Sequence, residues 1–376
     1  MINVKEFYKC LIDNDVDFFA GVPDSLLKDI CAFITENTPE NKHIITANEG
    51  GAVALGVGYH IATGKIPLIY MQNSGLGNAI NPLLSLADKD VYSVPLLLMI
   101  GWRGEPGVKD EPQHKKQGRI LLNMLDTMEI PYYLIDSNTN IKSIIDEATE
   151  KCKTKSCPIA LVIKKNTFLE YKYSCKNHID DKILPTREEA LEEVIKSIPK
   201  KSVIISTTGM LSRELFELRE KYKTSHKSDF LTVGSMGHAS KIALGIAIAK
   251  PEKQVFCLDG DGSIIMQMGN YAIAGDVAPK NLKYILFNNA AHDSVGGQPT
   301  IAKKIDFQKT IQSFNIKYLG KLSDIKNISE TVKLASSLAE TCFIEILIKK
   351  GHRKNLGRPT ICPQENIKQL KKYLKE

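Results

Sequence analysis

Several features that define large classes of protein are missing from this 376-residue sequence. No apolar run reaches the roughly 18 residues that a transmembrane helix requires. Charged residues are spread through the first fifteen positions, so the apolar core of a signal peptide is not evident. The eight cysteines form no C-x-x-C pair, and Cys152 and Cys157 do not have a common zinc-site spacing. We therefore expect a cytoplasmic protein with reduced thiols and no membrane span.

Motifs for nucleotides and nucleic acids are also missing. The net charge is +7, but the basic residues form no arm and do not alternate with aromatic residues, so nucleic acid is not an expected partner. No G-x-x-x-x-G-K-[ST] motif occurs. The turns at Gly75–Gly77 and Gly260–Gly262 lack the third glycine of a dinucleotide fingerprint. The composition is otherwise that of an ordinary globular chain, long enough for two domains with their own cores.

Short apolar runs alternate with helical patterns along the chain, which predicts an α/β fold with parallel sheets flanked by helices. The predicted strands are Asp17–Ala20, Ile44–Thr46, Leu68–Met71, Leu96–Ile100, Tyr132–Ile135, Ile159–Ile163, Val203–Ser206, Leu231–Val233, Val255–Leu258, Tyr284–Phe287 and Phe343–Ile348. Predicted helices include Gly51–Ala62, Asn78–Ala87, Arg119–Met128 and Ile141–Cys152. A polar stretch interrupts the alternation, so we predict domains at 1–168 and 187–376 joined by a linker at 169–186.

The strongest signal is an acidic turn and a pair of asparagines, each placed directly after a predicted strand. Leu258 is followed by Asp259-Gly260-Asp261-Gly262-Ser263, and Phe287 by Asn288-Asn289. The stretch from Asp261 to Asn289 is about as long as one strand–helix–strand crossover, so both can meet on one edge of a parallel sheet. Carboxylate, amide and backbone carbonyl oxygens suit Mg²⁺ with a phosphate. The glycines let the backbone approach a diphosphate closely.

This Gly-Asp-Gly turn followed by Asn-Asn resembles the cofactor motif of the thiamine diphosphate (ThDP) enzymes. The resemblance implies that Asp261 and Asn289 bind Mg²⁺ through their side chains and that Ala291 does so through its carbonyl oxygen. It implies two ThDP-binding-fold domains, a pyrimidine-binding domain followed by a diphosphate-binding domain. It also implies a homodimer at least, in which the pyrimidine half of one subunit meets the diphosphate half of another.

Further positions match the family's cofactor-binding segments. Glu49 follows a predicted strand and opens an apolar helix, where an acidic residue is also explained by the helix dipole. The segment around it is similar to the family's Glu-Gly-Ala stretch, in which the Glu hydrogen-bonds N1′ of the aminopyrimidine and so activates the cofactor. Met236 matches the residue that wedges under the bent cofactor, although methionine is also common core filler. The remaining predicted cofactor-binding residues are Asn73, Ser74, Gly75, Thr207, Thr208, Gly209, Gly234, Gly260, Gly262 and Ser263.

Three loops that follow predicted strands suggest a substrate pocket: 21–25, 102–114 and 292–300. Arginine and lysine are natural partners of a phosphonate or sulfonate, and Asp24 and His114 are candidates for moving protons. Lone histidines are often structural and charged loops are often only solvated, so these assignments stay open. The predicted substrate-binding residues are Asp24, Ser25, Arg103, Lys109, His114, His292 and Gln298.

Taken together, these segments make the chain similar to the smaller ThDP-dependent 2-oxo acid decarboxylases, those of phosphonopyruvate and sulfopyruvate, which lack a middle domain. The resemblance implies Mg²⁺- and ThDP-dependent decarboxylation of 3-phosphonopyruvate, with sulfopyruvate as the rival substrate. Carboligation, or ThDP binding without catalysis, is less well supported. His114 is followed by Lys115, so the His-His pair of pyruvate decarboxylases is missing. The acid that protonates the product therefore stays open between Asp24 and His114.

Overall fold

The computed structural model describes residues 1–172 and 184–376. The chain divides into two compact units, one within Met1–Lys176 and one within Asn177–Glu376. Most of the predicted linker, 169–186, lies outside the described residues, so the exact domain limits stay a prediction. No helix in the described ranges is both long enough and apolar enough to cross a membrane.

The first unit contains a parallel sheet with strand order β2-β1-β3-β4-β6-β5 within residues 1–172. Its strands are β1 Phe19–Gly21, β2 His43–Ile45, β3 Leu68–Gln72, β4 Leu97–Gly101, β5 Tyr132–Ile135 and β6 Ile159–Ile163. Its helices are α1 Val4–Asp13, α2 Lys28–Asn37, α3 Glu49–Thr63, α4 Leu76–Pro82, α5 Pro112–Thr127 and α6 Ile141–Lys155. A 3₁₀ turn, Asn73–Gly75, joins β3 to α4.

Apolar side chains cover both faces of this sheet. Along β4, Leu97 and Met99 belong to one buried cluster, whereas Leu98 and Ile100 belong to another. Every residue of β4 is buried, as expected for a central strand that has helices on both sides. The strand is therefore apolar along its whole length. Polar residues begin only beyond its end, at the edge of the sheet.

The second unit repeats this design, with strand order β11-β12-β10-β9-β7-β8 within residues 184–376. Its strands are β7 Val203–Ser206, β8 Asp229–Leu231, β9 Val255–Gly260, β10 Leu282–Asn288, β11 Lys317–Leu322 and β12 Cys342–Leu347. Its helices are α7 Arg187–Ser197, α8 Met210–Lys221, α9 Ala239–Ala249, α10 Asp261–Met266, α11 Gly269–Val277, α12 Phe307–Ser313, α13 Ile325–Ser337 and α14 Pro363–Tyr373. The predicted fold class, parallel sheets flanked by helices, is confirmed.

Some element limits differ from the prediction, for identifiable reasons. The strand expected at Leu231–Val233 runs instead over Asp229–Leu231, because the fully buried Asp229 is paired with Arg219 and so tolerates a strand position. The helix expected to begin at Arg119 begins at Pro112, whose fixed φ suits a first helical position. Strand β11 was not predicted, because its half-exposed residues at the sheet edge do not form an apolar run.

Candidate active site

Asp261 and Asn289 lie side by side at the carboxyl edge of the second sheet. Phe287 pairs with Gly260 in the register of β10 on β9, so the chain leaves both strands at the same level. Both side chains are buried. The Asp261 carboxylate accepts a hydrogen bond from the hydroxyl of Thr300, and the backbone amide of Asn289 also favours its charged form. The structure thus brings together the two residues that the sequence singled out for metal binding.

The electrostatics of Asp261 fit a neighbouring cation. Burial, helped by the negative charge of Asp293, raises the pKa of Asp261 to about 6. A divalent cation would reverse this shift, because it stabilises the ionised form of the carboxyl group. No group of three or more His, Cys, Asp or Glu side chains in a metal-binding arrangement occurs within residues 1–172 and 184–376. A cation at Asp261 would therefore need other ligands, and the predicted ones, the Asn289 amide and the Ala291 carbonyl, would complete a hard-oxygen set that suits Mg²⁺.

A cavity with about 570 Å³ of empty volume, including its open mouth, lies at this edge. The predicted residues that line it are Thr207, Thr208, Gly209, Met236, Gly260, Asp261, Gly262, Ser263, Asn289, Ala291 and His292. Gly234 follows β8 two positions before Met236 and is half-buried. Arg187 and Asp293 also line the cavity, and the sequence analysis did not predict either as a site residue.

Helix α8 presents its amino terminus to the cavity. Its N-cap, Gly209, has φ of +97°, a conformation that favours glycine, and provides no side chain to cap the helix. Met210 and Leu211 follow it along the cavity wall, and the first turn contains no acidic residue. Backbone N–H groups at such a helix start are suited to the oxygens of a phosphate group.

The side chains of His292 and Met236, from two different loops, converge beside Gly262. A Cβ atom at this position would lie 3.1 Å from Cε1 of His292 and 3.6 Å from Cε of Met236, so glycine leaves room for both. Burial lowers the pKa of His292 to about 4, which makes its imidazole neutral at pH 7. Ser263 accepts a hydrogen bond from the backbone of Gly237 at 3.0 Å and joins the turn that carries Met236 to the acidic turn.

In the first unit, Glu49 is the first residue of α3 and is buried. Its Oε2 accepts a hydrogen bond of 2.8 Å from the Asn78 amide. Asn48 caps the helix by accepting from the backbone of Gly51 at 2.8 Å, so the helix start is satisfied without Glu49. Burial raises the pKa of Glu49, which therefore holds a proton more readily than an exposed glutamate. A carboxyl group with a raised pKa is suited to donate a hydrogen bond or a proton to a ring nitrogen.

Asp24 is fully buried at the end of β1, and burial raises its pKa. Gln72, at the end of β3, donates its amide to Oδ1, and the backbone of Leu26 donates to Oδ2 at 2.9 Å. A Cβ atom at Gly101 would lie 2.2 Å from Oδ2, so the end of β4 closes directly over the carboxyl group. The ends of three strands therefore surround Asp24, and Gln72 is a partner that the sequence analysis missed.

Arg103, which the sequence assigned to substrate, is already held by protein groups. Its Nε donates to Asp110 at 2.8 Å, Nη2 donates to the same carboxylate, and Nη1 donates to Ser25 Oγ at 2.7 Å. Asn73 fixes the backbone of Arg103 by donating to its carbonyl oxygen at 2.8 Å and accepting from its amide at 3.1 Å. The sequence analysis did not predict a role for Asp110. The loop contains several charged residues, and the sequence does not indicate which acidic residue pairs with Arg103.

The other predicted substrate residues have different surroundings. Burial and then the positive charge of Arg103 lower the pKa of His114 to about 4, and its Nδ1 is buried with no hydrogen-bond partner among the described residues. Lys109 is exposed and lines a shallow cleft. Gln298 is fully buried, and neither atom of its side-chain amide has a partner in the described ranges. Their roles stay predictions.

Comparison with known proteins assigns both units to one family. The model described as "Thiamine pyrophosphate enzyme, N-terminal TPP binding domain" matches residues 4–130, and the model for the C-terminal TPP binding domain matches residues 207–346. Similar proteins include the phosphonopyruvate decarboxylase of Streptomyces viridochromogenes, which is 28% identical over 100% of this chain and 95% of that protein.

Sulfopyruvate decarboxylases are also similar to this chain. The enzyme of Methanosarcina acetivorans is 27% identical over 96% of this chain and 94% of that protein. The alpha subunit of the Methanococcus maripaludis enzyme is 31% identical over 42% of this chain and 90% of that subunit. The chain belongs to the thiamine pyrophosphate enzyme family. Within that family it is an enzyme of the carboxy-lyase class, a decarboxylase.

Proposed function

We propose that this enzyme is a Mg²⁺- and ThDP-dependent decarboxylase that converts 3-phosphonopyruvate to phosphonoacetaldehyde and carbon dioxide in phosphonate biosynthesis. The observation that carries the cofactor part is the cavity at which Asp261, Asn289 and the uncapped start of α8 meet. It offers a cation site and an anion site next to each other, as a metal-bound diphosphate requires. The choice of substrate is supported by the phosphonopyruvate decarboxylases that match the whole chain.

When bound, ThDP supplies a thiazolium ring that accepts the electron pair left behind by carbon dioxide. The residues of the chain hold and orient the reactants. We propose that Asp261, Asn289 and the Ala291 carbonyl hold the cation, while the backbone amides at the start of α8 bind phosphate oxygens. Glu49 would hold a proton at a ring nitrogen of the pyrimidine, which its raised pKa supports.

The two candidate proton donors differ in their electrostatics. Burial raises the pKa of Asp24, so this carboxyl group retains a proton to higher pH than an exposed aspartate. Burial and the positive charge of Arg103 lower the pKa of His114 to about 4. The imidazole is therefore uncharged at neutral pH and cannot act as an imidazolium acid. A general acid must be protonated at the working pH. We therefore propose Asp24, rather than His114, as the acid that protonates the product.

Sulfopyruvate is the second candidate substrate, and the Methanosarcina acetivorans relative supports it. Both substrates carry a tetrahedral anionic group, which arginine and lysine bind in the same way. The guanidinium of Arg103 is paired with Asp110, so we propose that it shapes the pocket and that further positive charge comes from the loop itself. Lys109 from that loop lines one cleft together with Lys115 and Arg119 from the following helix α5.

We also propose a homo-oligomer of at least two chains. Helix α3 is apolar around most of its surface and leaves Leu55 and Ile61 exposed, at 38% and 73%. Helices α9 and α11 similarly expose Ile248 and Ile273, at 55% and 52%. Helices that are apolar on all sides are usually buried, so a second copy of the chain is the natural cover for these surfaces.

The test is carbon dioxide release by the purified protein with Mg²⁺ and ThDP, comparing phosphonopyruvate, sulfopyruvate and pyruvate at matched concentrations. We expect the highest kcat/KM with phosphonopyruvate. A preference for sulfopyruvate would retain the chemistry and change the substrate, whereas no release from any of the three would contradict the proposal. The Glu49→Ala variant should abolish turnover with an unchanged circular dichroism spectrum. Near-normal activity of this variant would refute the proposed cofactor role of Glu49.

A further inference from the structure

Asp293 makes three contacts around the predicted metal site. Its Oδ2 accepts hydrogen bonds from Asn289 Nδ2 at 2.6 Å, from the backbone amide of Gly351 at 2.9 Å and from Arg187 Nη1 at 3.3 Å. The side chain is nearly buried, with 9% of its surface exposed. These donors come from the loop after β10, the segment after β12 and the start of α7. Asp293 therefore connects two other parts of the chain, the start of α7 and the segment after β12, to Asn289.

Arg187 is itself fixed, so it presents a rigid donor to Asp293. Its Nε and Nη2 donate to the two oxygens of Glu214 at 2.8 and 3.0 Å. Both side chains are buried, and this two-point contact fixes the plane of the guanidinium group. Arg187 Nη2 also lies 3.5 Å from the carbonyl oxygen of Gly351. If the carboxylate of Asp293 rotated away from this position, the buried Nη1 group of Arg187 and the backbone amide of Gly351 would lose this acceptor.

The position of Asp293 decides how the amide of Asn289 is oriented. A side-chain amide can rotate by half a turn and exchange its oxygen and its NH₂ group with little change in shape. A carboxylate can only accept, so it requires the NH₂ group of Asn289 on its side. The oxygen is then turned the other way, where it accepts from the backbone amide of Ala291 at 3.0 Å and has a second lone pair. A divalent cation binds the amide oxygen and is repelled by the NH₂ group.

We infer that Asp293, held by Arg187 and Gly351, is a positioning residue that sets the orientation of the Asn289 amide for metal binding. It acts through Asn289 and is not itself a metal ligand. The inference rests on the proposed function, because it assumes a divalent cation at Asp261 and Asn289. It adds a separate property: the affinity for the cation depends on an ion pair whose members do not touch the cation.

The test is to measure binding of Mn²⁺ to the full-length protein in the presence of ThDP, by the electron paramagnetic resonance signal of free Mn²⁺. The Asp293→Ala variant should bind Mn²⁺ about 10- to 100-fold more weakly than the wild type, the usual effect of removing an outer-shell partner. The matched control is Glu217→Gln. Glu217 also accepts from the segment after β12, at the backbone of Gly357, but has no contact with Asn289 among those described. The control should bind Mn²⁺ as the wild type does.

A second variant separates positioning from general stability. A carboxylate at position 289 has two equivalent oxygens, so it needs no partner to orient it. Asn289→Asp alone should weaken Mn²⁺ binding, because the new charge lies against Asp293. The double variant Asn289→Asp/Asp293→Ala should bind Mn²⁺ more tightly than either single variant. A structural defect at Asp293 would not be rescued in this way.

The outcomes distinguish the inference from the proposed function. If wild-type protein binds Mn²⁺ and Asp293→Ala binds it equally well, the positioning role is wrong and the metal site stands. Equal losses in Asp293→Ala and Glu217→Gln, or a double variant no better than the single ones, would also overturn the positioning role. If the wild-type protein with ThDP binds no Mn²⁺ at all, the metal site and the inference fail together.

Discussion

The carboxyl group of Glu49 packs directly against Gly75. A Cβ atom at position 75 would lie 2.2 Å from Oε1 of Glu49 and 2.7 Å from its Cγ, so any side chain there would displace the carboxyl group. Gly75 has φ of −77° in its turn, a value open to all residues, so space and not backbone conformation requires a glycine. This contact makes Gly75 a sensitive probe of the role of Glu49.

We predict that Gly75→Ala lowers kcat by about 100-fold or more, because displacing a catalytic group by about 1 Å has effects of this size. The fold should persist, since the Glu49 side chain can move aside. The measurement is carbon dioxide release, together with the melting temperature. Gly77→Ala is the matched control, because a Cβ atom there meets nothing within 4 Å. Full activity in Gly75→Ala would show that the position of Glu49 does not limit the reaction.

Metal affinity should depend on pH through Asp261, whose pKa is raised to about 6. Below that pH a cation must displace a proton, so the apparent affinity should fall about tenfold per pH unit, while above it the affinity should level off. Titration with Mn²⁺ between about pH 5 and pH 8 measures this. An affinity that stays flat down to pH 5 would contradict the assignment of Asp261 as a ligand.

The same raised pKa should make the metal-free protein less stable as the pH rises. The folded state holds a proton on Asp261 that the unfolded chain, with a pKa of 3.8, has already lost. Folded protein therefore binds more protons between about pH 4 and pH 6, and the free energy of unfolding should decrease over that range by up to about 3 kcal/mol. Denaturant titrations with and without Mg²⁺ test this, and the decrease should be smaller when Mg²⁺ and ThDP are present.

Mixing two inactive variants tests whether sites form between subunits. If Glu49 of one chain and Asp261 of another serve one cofactor, a mixed dimer of Glu49→Ala with Asp261→Ala contains one intact site and one doubly defective site. Co-expression in equal amounts should then restore about a quarter of the wild-type activity, since about half of the dimers are mixed. Each variant alone should be inactive. No recovery in purified mixed dimers would indicate that both residues act from the same chain.

Lys283 tests the core of the second unit without touching the site. This fully buried lysine donates to the carbonyl oxygens of Lys280, Leu338 and Glu340, at 3.2, 2.9 and 2.6 Å. Lys283→Met should lower the free energy of unfolding by about 3 kcal/mol, because buried acceptors lose a charged donor. The kcat of the folded fraction should not change. The exposed Lys333→Met is the control, and an equally large loss there would refute the explanation.

The sequence predicted local features well and long-range pairs poorly. Strands Tyr132–Ile135 and Ile159–Ile163 have the limits that the sequence predicted, because each coincides with a short apolar run. The meeting of Asp261 and Asn289 followed from one crossover. The pairing of Arg187 with Asp293 spans 106 residues, and only the folded chain brings those side chains together.

A similar limit applies to the loop after β4. The sequence identified Arg103 as a cation near substrate, but could not indicate that Asp110 already neutralises it at both Nε and Nη2. Charged residues in a loop have the same appearance in a sequence whether they are solvated or paired. The burial of Asp24, which decides its protonation, likewise depends on the ends of three strands and not on its neighbours in the chain.

The side-chain amide of Gln298, which has no hydrogen-bond partner in the described parts of the chain, has a consequence for anyone who engineers this enzyme. A buried polar group with no hydrogen-bond partner costs about 1–3 kcal/mol of folding stability, and Gln298 has two atoms without a partner within residues 1–172 and 184–376. Replacing it with methionine should raise the melting temperature of the ligand-free protein. A screen for heat resistance alone would therefore favour substitutions at position 298. Such a screen would remove the side-chain amide that we predict to contact the substrate.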